Sequence, residues 1–249
     1  MKLRLIVLAG TLFCSFSSTA YGVAMTNPEG VEVGTYGQEM MTPYTMAEGL
    51  PSDDVLAVAA APDGGVYAGT SQGLAHLENG DWISVAELAG KNVTALWAYD
   101  DGVYAATESG VYLVTPSDVV KITGALPGTV HAIATNGAAL YLATSNGLWH
   151  IEEGTAEPIG ELAQLLPERS RVYDVAVHGE RIAAAADAGL FVFSDHWEAV
   201  FPQEDEQRWA PVNVRAAGFD DAGRLWFASP MGVGHETSGT EGGWQLYTG

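Results

Sequence analysis

Ten positions in two columns carry the residue types best suited to hold a small polar molecule. Each column flanks a recurrent valine. One residue before it stand Asp54, Asn92, Thr129, Arg171 and Asn213; one residue after it stand Leu56, Thr94, His131, Tyr173 and Arg215. Residues two apart on a strand share a side, so the columns are expected to lie together. Their identities change from copy to copy while the valine stays, as expected of an individual surface on a common scaffold. Asn92, His131, Arg171, Tyr173, Asn213 and Arg215 make the candidate ligand pocket. Two arginines are a large share of the six that follow residue 20. A forked guanidinium suits a carboxylate, a sulfate or a sugar acid. The bland alternative is that both columns are solvated sheet edges.

Other chemistry is thinner. The histidines, His76, His131, His150, His178, His196 and His235, form no close-spaced ligand pair. His76 and His150 fall on strands. His235-Glu236 reads as part of a glycine-rich loop with acid–base capacity. Asp100-Asp101 and Asp220-Asp221 can ligate calcium, although tight turns already call for aspartate. A phosphate-binding Gly-Lys-Ser/Thr loop is missing. No catalytic residue, metal or cofactor is assigned on this reading, which expects a binding protein and not an enzyme.

The elements that position the two columns form a repeat. Units begin at Val55, Val93, Val130, Val172 and Val214, and their second-turn glycines are Gly73, Gly110, Gly147, Gly189 and Gly232. The glycine spacings are 37, 37, 42 and 43 residues, the period of propeller blades. Within a unit, an apolar strand meets a turn such as Asp63-Gly64, Asp101-Gly102 or Asn136-Gly137, residues that tolerate positive φ. A second strand, a glycine turn and a third strand follow. A looser fourth strand often carries an aromatic residue: Trp82, Trp197 or Trp244. The reading is all-β, a β-propeller of four-stranded antiparallel blades. Small residues on the inner strands (Ala57, Ala59, Ala95, Ala132, Ala134, Ala176, Ala216) fit blades converging on an axis. Helical periodicity is nearly absent; only residues 161–169 have room for a helical turn or two, and they read as a blade-joining loop.

These residues resemble the bacterial two-component regulator propeller repeat. The best match runs from Gly49-Leu50-Pro51 through Val55, Asp63-Gly64, Tyr67 and Gly69-Thr70 to Gly73-Leu74; a second runs from Leu126-Pro127 to Gly147-Leu148. The resemblance spans roughly residues 44–249 and implies an exported sensory module, of the kind found in hybrid histidine kinases. It specifies a fold more than a function. No kinase or receiver pattern accompanies it here. Arg224-Leu225-Trp226-Phe227 resembles a strand of streptogramin lyase-like propellers, which implies one alternative, a metal-dependent lyase or hydrolase. Another alternative is a structural protein-interaction disc in the cell envelope.

Residues 1–20 read as a secretory signal peptide. Met1-Lys2-Leu3-Arg4 is basic, residues 5–16 are mostly apolar, and Ser17-Ser18-Thr19-Ala20 supplies small residues before cleavage. The apolar run is shorter than the roughly 20 residues of a span. Cys14, the one cysteine, lies inside it, and Thr11-Leu12-Phe13 is a poor lipoprotein signal. The expected location is periplasmic or secreted, with no membrane span after cleavage and no disulfide. Residues 21–43 read as an N-terminal segment or partial blade, because Gly30-Val31-Glu32-Val33-Gly34-Thr35 echoes residues 65–70. With five full units, that gives five to six blades, either closed by joining the termini or part of a longer, incomplete ring. The 249-residue chain carries 10 basic and 31 acidic residues and a net charge of −21. That balance excludes nucleic acid and disfavours anionic membrane surfaces. The expected partner is a small polar or carbohydrate-like ligand, or a protein.

Overall fold

A computed structural model describes residues 43–62, 64–100, 102–137, 139–201, 212–237 and 243–247, with the paired strands Met25–Thr26, Glu32–Val33, Gln203–Glu204 and Gln207–Arg208. The expected leader, most of segment 21–43, Asp63 and Asp101 lie outside the described residues.

Five sheets of four antiparallel strands follow one another. Blade 1 comprises Val55–Ala60, Val66–Thr70, Gly73–Glu78 and Asp81–Ser84. Blade 2 comprises Val93–Tyr99, Gly102–Thr107, Gly110–Val114 and Val119–Thr123. Blade 3 comprises Val130–Thr135, Leu140–Thr144, Gly147–Glu152 and Thr155–Pro158. Blade 4 comprises Val172–His178, Arg181–Ala186, Gly189–Phe193 and Trp197–Val200, and blade 5 Ala216–Phe219, Leu225–Ser229, Gly232–Glu236 and Trp244–Tyr247. Strands pair in sequence order within every blade, as a meander. The fold is a multi-blade β-propeller with five complete blades among the described residues.

Four apolar clusters each join two consecutive blades, and a fifth, with Leu50, Ala68, Ala75 and Trp82, lies within blade 1. Tyr67 and Leu74 of blade 1 pack with Val93 and Val103 of blade 2. Ala106 and Val111 meet Val130, Ile133 and Leu142. Leu148 meets Val172, Val175 and Phe191, and Leu190 and Val192 meet Val214, Leu225 and Phe227. The recurrent valine is therefore a wedge between neighbours: Val93, Val172 and Val214 are fully buried and Val130 nearly so. Burying such side chains contributes on the order of 2 kcal/mol each. Inner strands of consecutive blades pack directly on one another.

The threonine-glycine signature has a hydrogen-bond cause. Thr144 Oγ1 donates to the Gly147 carbonyl at 2.8 Å and accepts the Asn146 N–H at 3.0 Å. Thr70 and Thr107 repeat both bonds. A buried hydroxyl thus satisfies a tight turn from within. Gly49 of the Gly-Leu-Pro motif has φ of 99°, and a Cβ there would meet the Trp82 carbonyl oxygen.

Two expectations are corrected. Residues 160–165 form an α-helix with Leu162 fully buried, so the connection between blades 3 and 4 is not a plain loop. His235-Glu236 lies on the third strand of blade 5, not in a loop. Gly234 is there for packing, since a Cβ would strike Phe227 and Leu246.

Candidate ligand site at the cavity mouth

All five inner strands line one central cavity of about 440 Å³. Its polar lining groups, Thr94, His131 and Asp174, come from the beginnings of these strands; Trp97 and Phe219 come from the ends. In blades 1 to 4 a β-bulge falls at the residue after the valine: Leu56, Thr94, His131 and Tyr173. A bulge suspends strict alternation and re-aims its side chain. In these four blades the second column is therefore placed by bulges, not by the period of two.

Four of the six candidate residues come together. The Arg215 guanidinium lies 4.2 Å from the Tyr173 ring centroid, and that of Arg171 lies 5.8 Å from it. The His131 ring is 6.5 Å from Tyr173, and its Nε2 is 2.9 Å from Ser145 Oγ. Burial, and then the Arg171 charge, hold the His131 pKa below its ordinary value, so the imidazole is neutral at pH 7. Asn92 and Asn213 are placed by backbone hydrogen bonds. The exposed Asn92 gives its backbone N–H to Glu108 at 2.9 Å. Asn213 has φ of 55°, and its N–H reaches the Asp187 carbonyl at 2.8 Å.

One column of functional residues escapes the sequence reading. The residue after the turn threonine, or after Ala186 in blade 4, buttresses the start of the inner strand of its own blade. Ser71 Oγ meets Ser52 Oγ at 3.1 Å, Glu108 takes the Asn92 N–H, Ser145 holds His131, and Asp187 takes the Arg171 N–H at 3.1 Å. The available signal was position alone: all four follow the same step of the repeat. Gly69-Thr70-Ser71-Gln72-Gly73 also has the Gly-x-Ser-x-Gly spacing of a nucleophile elbow. Here it is a strand-to-strand turn, with Ser71 hydrogen-bonded to another serine.

Asp174 was not singled out either. In its column the other inner strands carry Ala57, Ala95, Ala132 and Ala216. Loss of water raises its carboxyl pKa to about 6, against the lowering effect of hydrogen bonds from Ala217 and Val175.

The remaining aspartate and arginine pairs serve structure. Asp220 accepts hydrogen bonds from Trp226 Nε1, Arg224 N–H and Nε, and Ala222 N–H; those from Trp226 and then Arg224 lower its pKa to about 2. Arg181 forks onto Glu236 at 2.7 and 3.1 Å. Among the described residues, no three His, Cys, Asp or Glu side chains converge as a metal site. Nor, among them, is any helix long and apolar enough to cross a membrane.

No protein-family model matches the chain, and no curated protein matches it. Solved structures do. The extracellular domain of a hybrid two-component system protein from B. thetaiotaomicron superposes with a TM-score of 0.63 at 15% identity, covering 83% of this chain and 31% of that one. The extracellular domain of a one-component system protein from the same organism gives 0.62 at 16% identity, covering 82% and 29%. Catalytically inactive virginiamycin B lyase from Staphylococcus aureus, solved with quinupristin, gives 0.60 at 11% identity, covering 78% and 70%. The chain thus spans about a third of the length of the two bacterial extracellular domains, and shares their propeller fold.

Proposed function

We propose that this chain is an exported, non-catalytic binding or sensory module that takes a small carboxylate-bearing polar ligand at the cavity mouth. The observation that carries the reading is the convergence of Arg171 and Arg215 on Tyr173 beside a neutral His131. In a chain of net charge −21, two guanidinia with no carboxylate partner among the described residues make a local anion site. Arg181 and Arg224, by contrast, are already neutralised by Glu236 and Asp220. A guanidinium stacked on an aromatic ring keeps its in-plane N–H donors available to a ligand. Of this cluster His131 lines the central cavity, whose volume lies within the range of small-molecule sites, about 300–1,000 Å³. Export is supported by the leader-like first twenty residues. The extracellular source of two fold neighbours points the same way.

The test is a thermal-shift screen with galacturonate, glucuronate, L-lactate and citrate. At least one should raise the melting temperature of the wild type and not that of Arg171→Ala/Arg215→Ala. A shift that survives in the double variant rejects the mouth as the site. Turnover of any screened compound that depends on an added divalent cation would replace the binding module with an enzyme.

A further inference from the structure

Among the described residues, the wall of the central cavity holds one charged group at pH 7.5. Its polar lining is Thr94, His131 and Asp174. His131 is neutral, with its Nε2 on Ser145, and Asp174 is ionised above about pH 6. The Asp174 carboxylate is fixed at the cavity wall by two residues that line the same cavity. Its Oδ1 accepts the Val175 N–H at 2.9 Å and its Oδ2 the Ala217 N–H at 3.1 Å. A carboxylate has room for about four hydrogen bonds, so acceptor capacity is left over. Among the described residues, no Lys, Arg or His forms an ion pair with it. Asp174 keeps part of its surface accessible, so a solute in the cavity can reach it.

Holding blades together does not require this charge. The other inner strands carry Ala57, Ala95, Ala132 and Ala216 at the same step. A carboxylate withdrawn from water with no cation is costly, and a bound cation removes that cost.

The lining decides which cation. A calcium or magnesium ion needs about six oxygen ligands. The side-chain oxygens in this wall belong to Asp174 and Thr94, and no metal-binding trio converges among the described residues. Leu96, Trp97, Ile133 and Val177 offer a hydrocarbon wall instead. An ammonium group needs one carboxylate and a few acceptors, and it leaves an apolar body free to fill such a wall. Arg171, Tyr173 and Arg215 are not part of this lining.

We infer that the central cavity is a second ligand site that takes a primary amine with an apolar body. The ammonium sits on Asp174, and the hydrocarbon lies against Trp97, Ile133 and Val177. The inference does not rest on the carboxylate reading of the mouth.

Calorimetric titration at pH 7.5 tests it with phenethylamine and with 2-phenylethanol, which puts a hydroxyl in place of the ammonium at nearly the same size. The wild type should bind phenethylamine at least about tenfold more tightly than the alcohol, as one charge-assisted contact implies. Asp174→Asn should bind the two within about threefold of each other. Arg171→Ala/Arg215→Ala should bind phenethylamine within about threefold of the wild type. The amine site is overturned if phenethylamine gives no heat of binding, or if the alcohol binds the wild type as tightly. It is overturned too if Asp174→Asn keeps the tenfold preference, which would put the ammonium elsewhere. Loss of phenethylamine binding in the arginine variant would overturn the separation of the two sites. Circular dichroism checks the fold of Asp174→Asn, and the wild-type comparison decides by itself if that variant does not fold.

Discussion

On the side of the mouth built by blades 1 and 2, the residues flanking the inner valines are Asp54, Leu56, Asn92 and Thr94. Blades 4 and 5 place Arg171, Tyr173, Asn213 and Arg215 at the same steps. The scaffold beneath is the same on both sides. Leu74 in blade 1 and Leu190 in blade 4 occupy one repeat position and are both buried in inter-blade clusters. Glu108 and Asp187 each take the backbone N–H of the residue before the valine. The comparison separates two jobs. Wedge valines, turn hydroxyls and buttressing side chains hold any blade to its neighbour, while charge is set blade by blade. Among the residues flanking the valines, the cations stand on one side only.

If that division is right, changes to the scaffold should cost stability on either side of the ring. Leu74→Ala and Leu190→Ala should each destabilise by about 3 kcal/mol in urea unfolding, the usual cost of a buried leucine. A loss below about 1 kcal/mol for one of them would show that the two blades are not packed alike.

Charge changes should act on binding and on one side. Arg171→Ala/Arg215→Ala should weaken carboxylate binding about a hundredfold, as two lost charge-assisted contacts imply. Asn92→Ala/Thr94→Ala should stay within about threefold by the same titration. Equal losses for both pairs would erase the asymmetry.

The lone aspartate of the alanine column should be visible in stability against pH. Its folded pKa, about 6, lies above the ordinary 3.8, so the folded state prefers the protonated form. The penalty is full above about pH 6 and disappears as pH falls through that value toward 4. Asp174→Asn should therefore be more stable than the wild type at pH 7.5, by up to about 3 kcal/mol, and nearly equal to it at pH 4. A difference that does not change with pH would place Asp174 in water.

A smaller effect should follow at His131. Ser145→Ala removes its hydrogen-bond partner and should weaken ligand binding about two- to fivefold with little change in melting temperature. An unchanged affinity would show that the ring is held by packing alone.

The repeat was legible because its physics is local. Thr144, Asn146 and Gly147 form one turn within four residues, and a wedge valine recurs because each blade must bury the same edge. The propeller follows from those two signals. The bulges at Leu56, Thr94, His131 and Tyr173 were not legible, because those residue types share nothing that marks an extra residue in a strand. His131, Arg171, Tyr173 and Arg215 still come to one place, through the bulges of blades 3 and 4 and not through alternation, while the backbone hydrogen bonds of Asn92 and Asn213 are not revealed by any column. Asp174 could have been noticed as the charged exception among Ala57, Ala95, Ala132 and Ala216. Its neighbours across the cavity come from other blades and are invisible to a reading of one unit. His235 was misplaced because Gly232 and Gly234 looked like loop residues, when Gly234 yields space to Phe227 and Leu246.

The claim that matters most is that Arg171 and Arg215 are the anion-binding arginines of this molecule. Nitrogen-15 spectra of the arginine Nε–H groups, recorded while galacturonate is added, address it directly. The Arg171 and Arg215 signals should move and saturate together, while those of Arg181 and Arg224, held by Glu236 and Asp220, stay in place. Movement of the Arg181 or Arg224 signals with Arg171 and Arg215 unmoved would contradict the account.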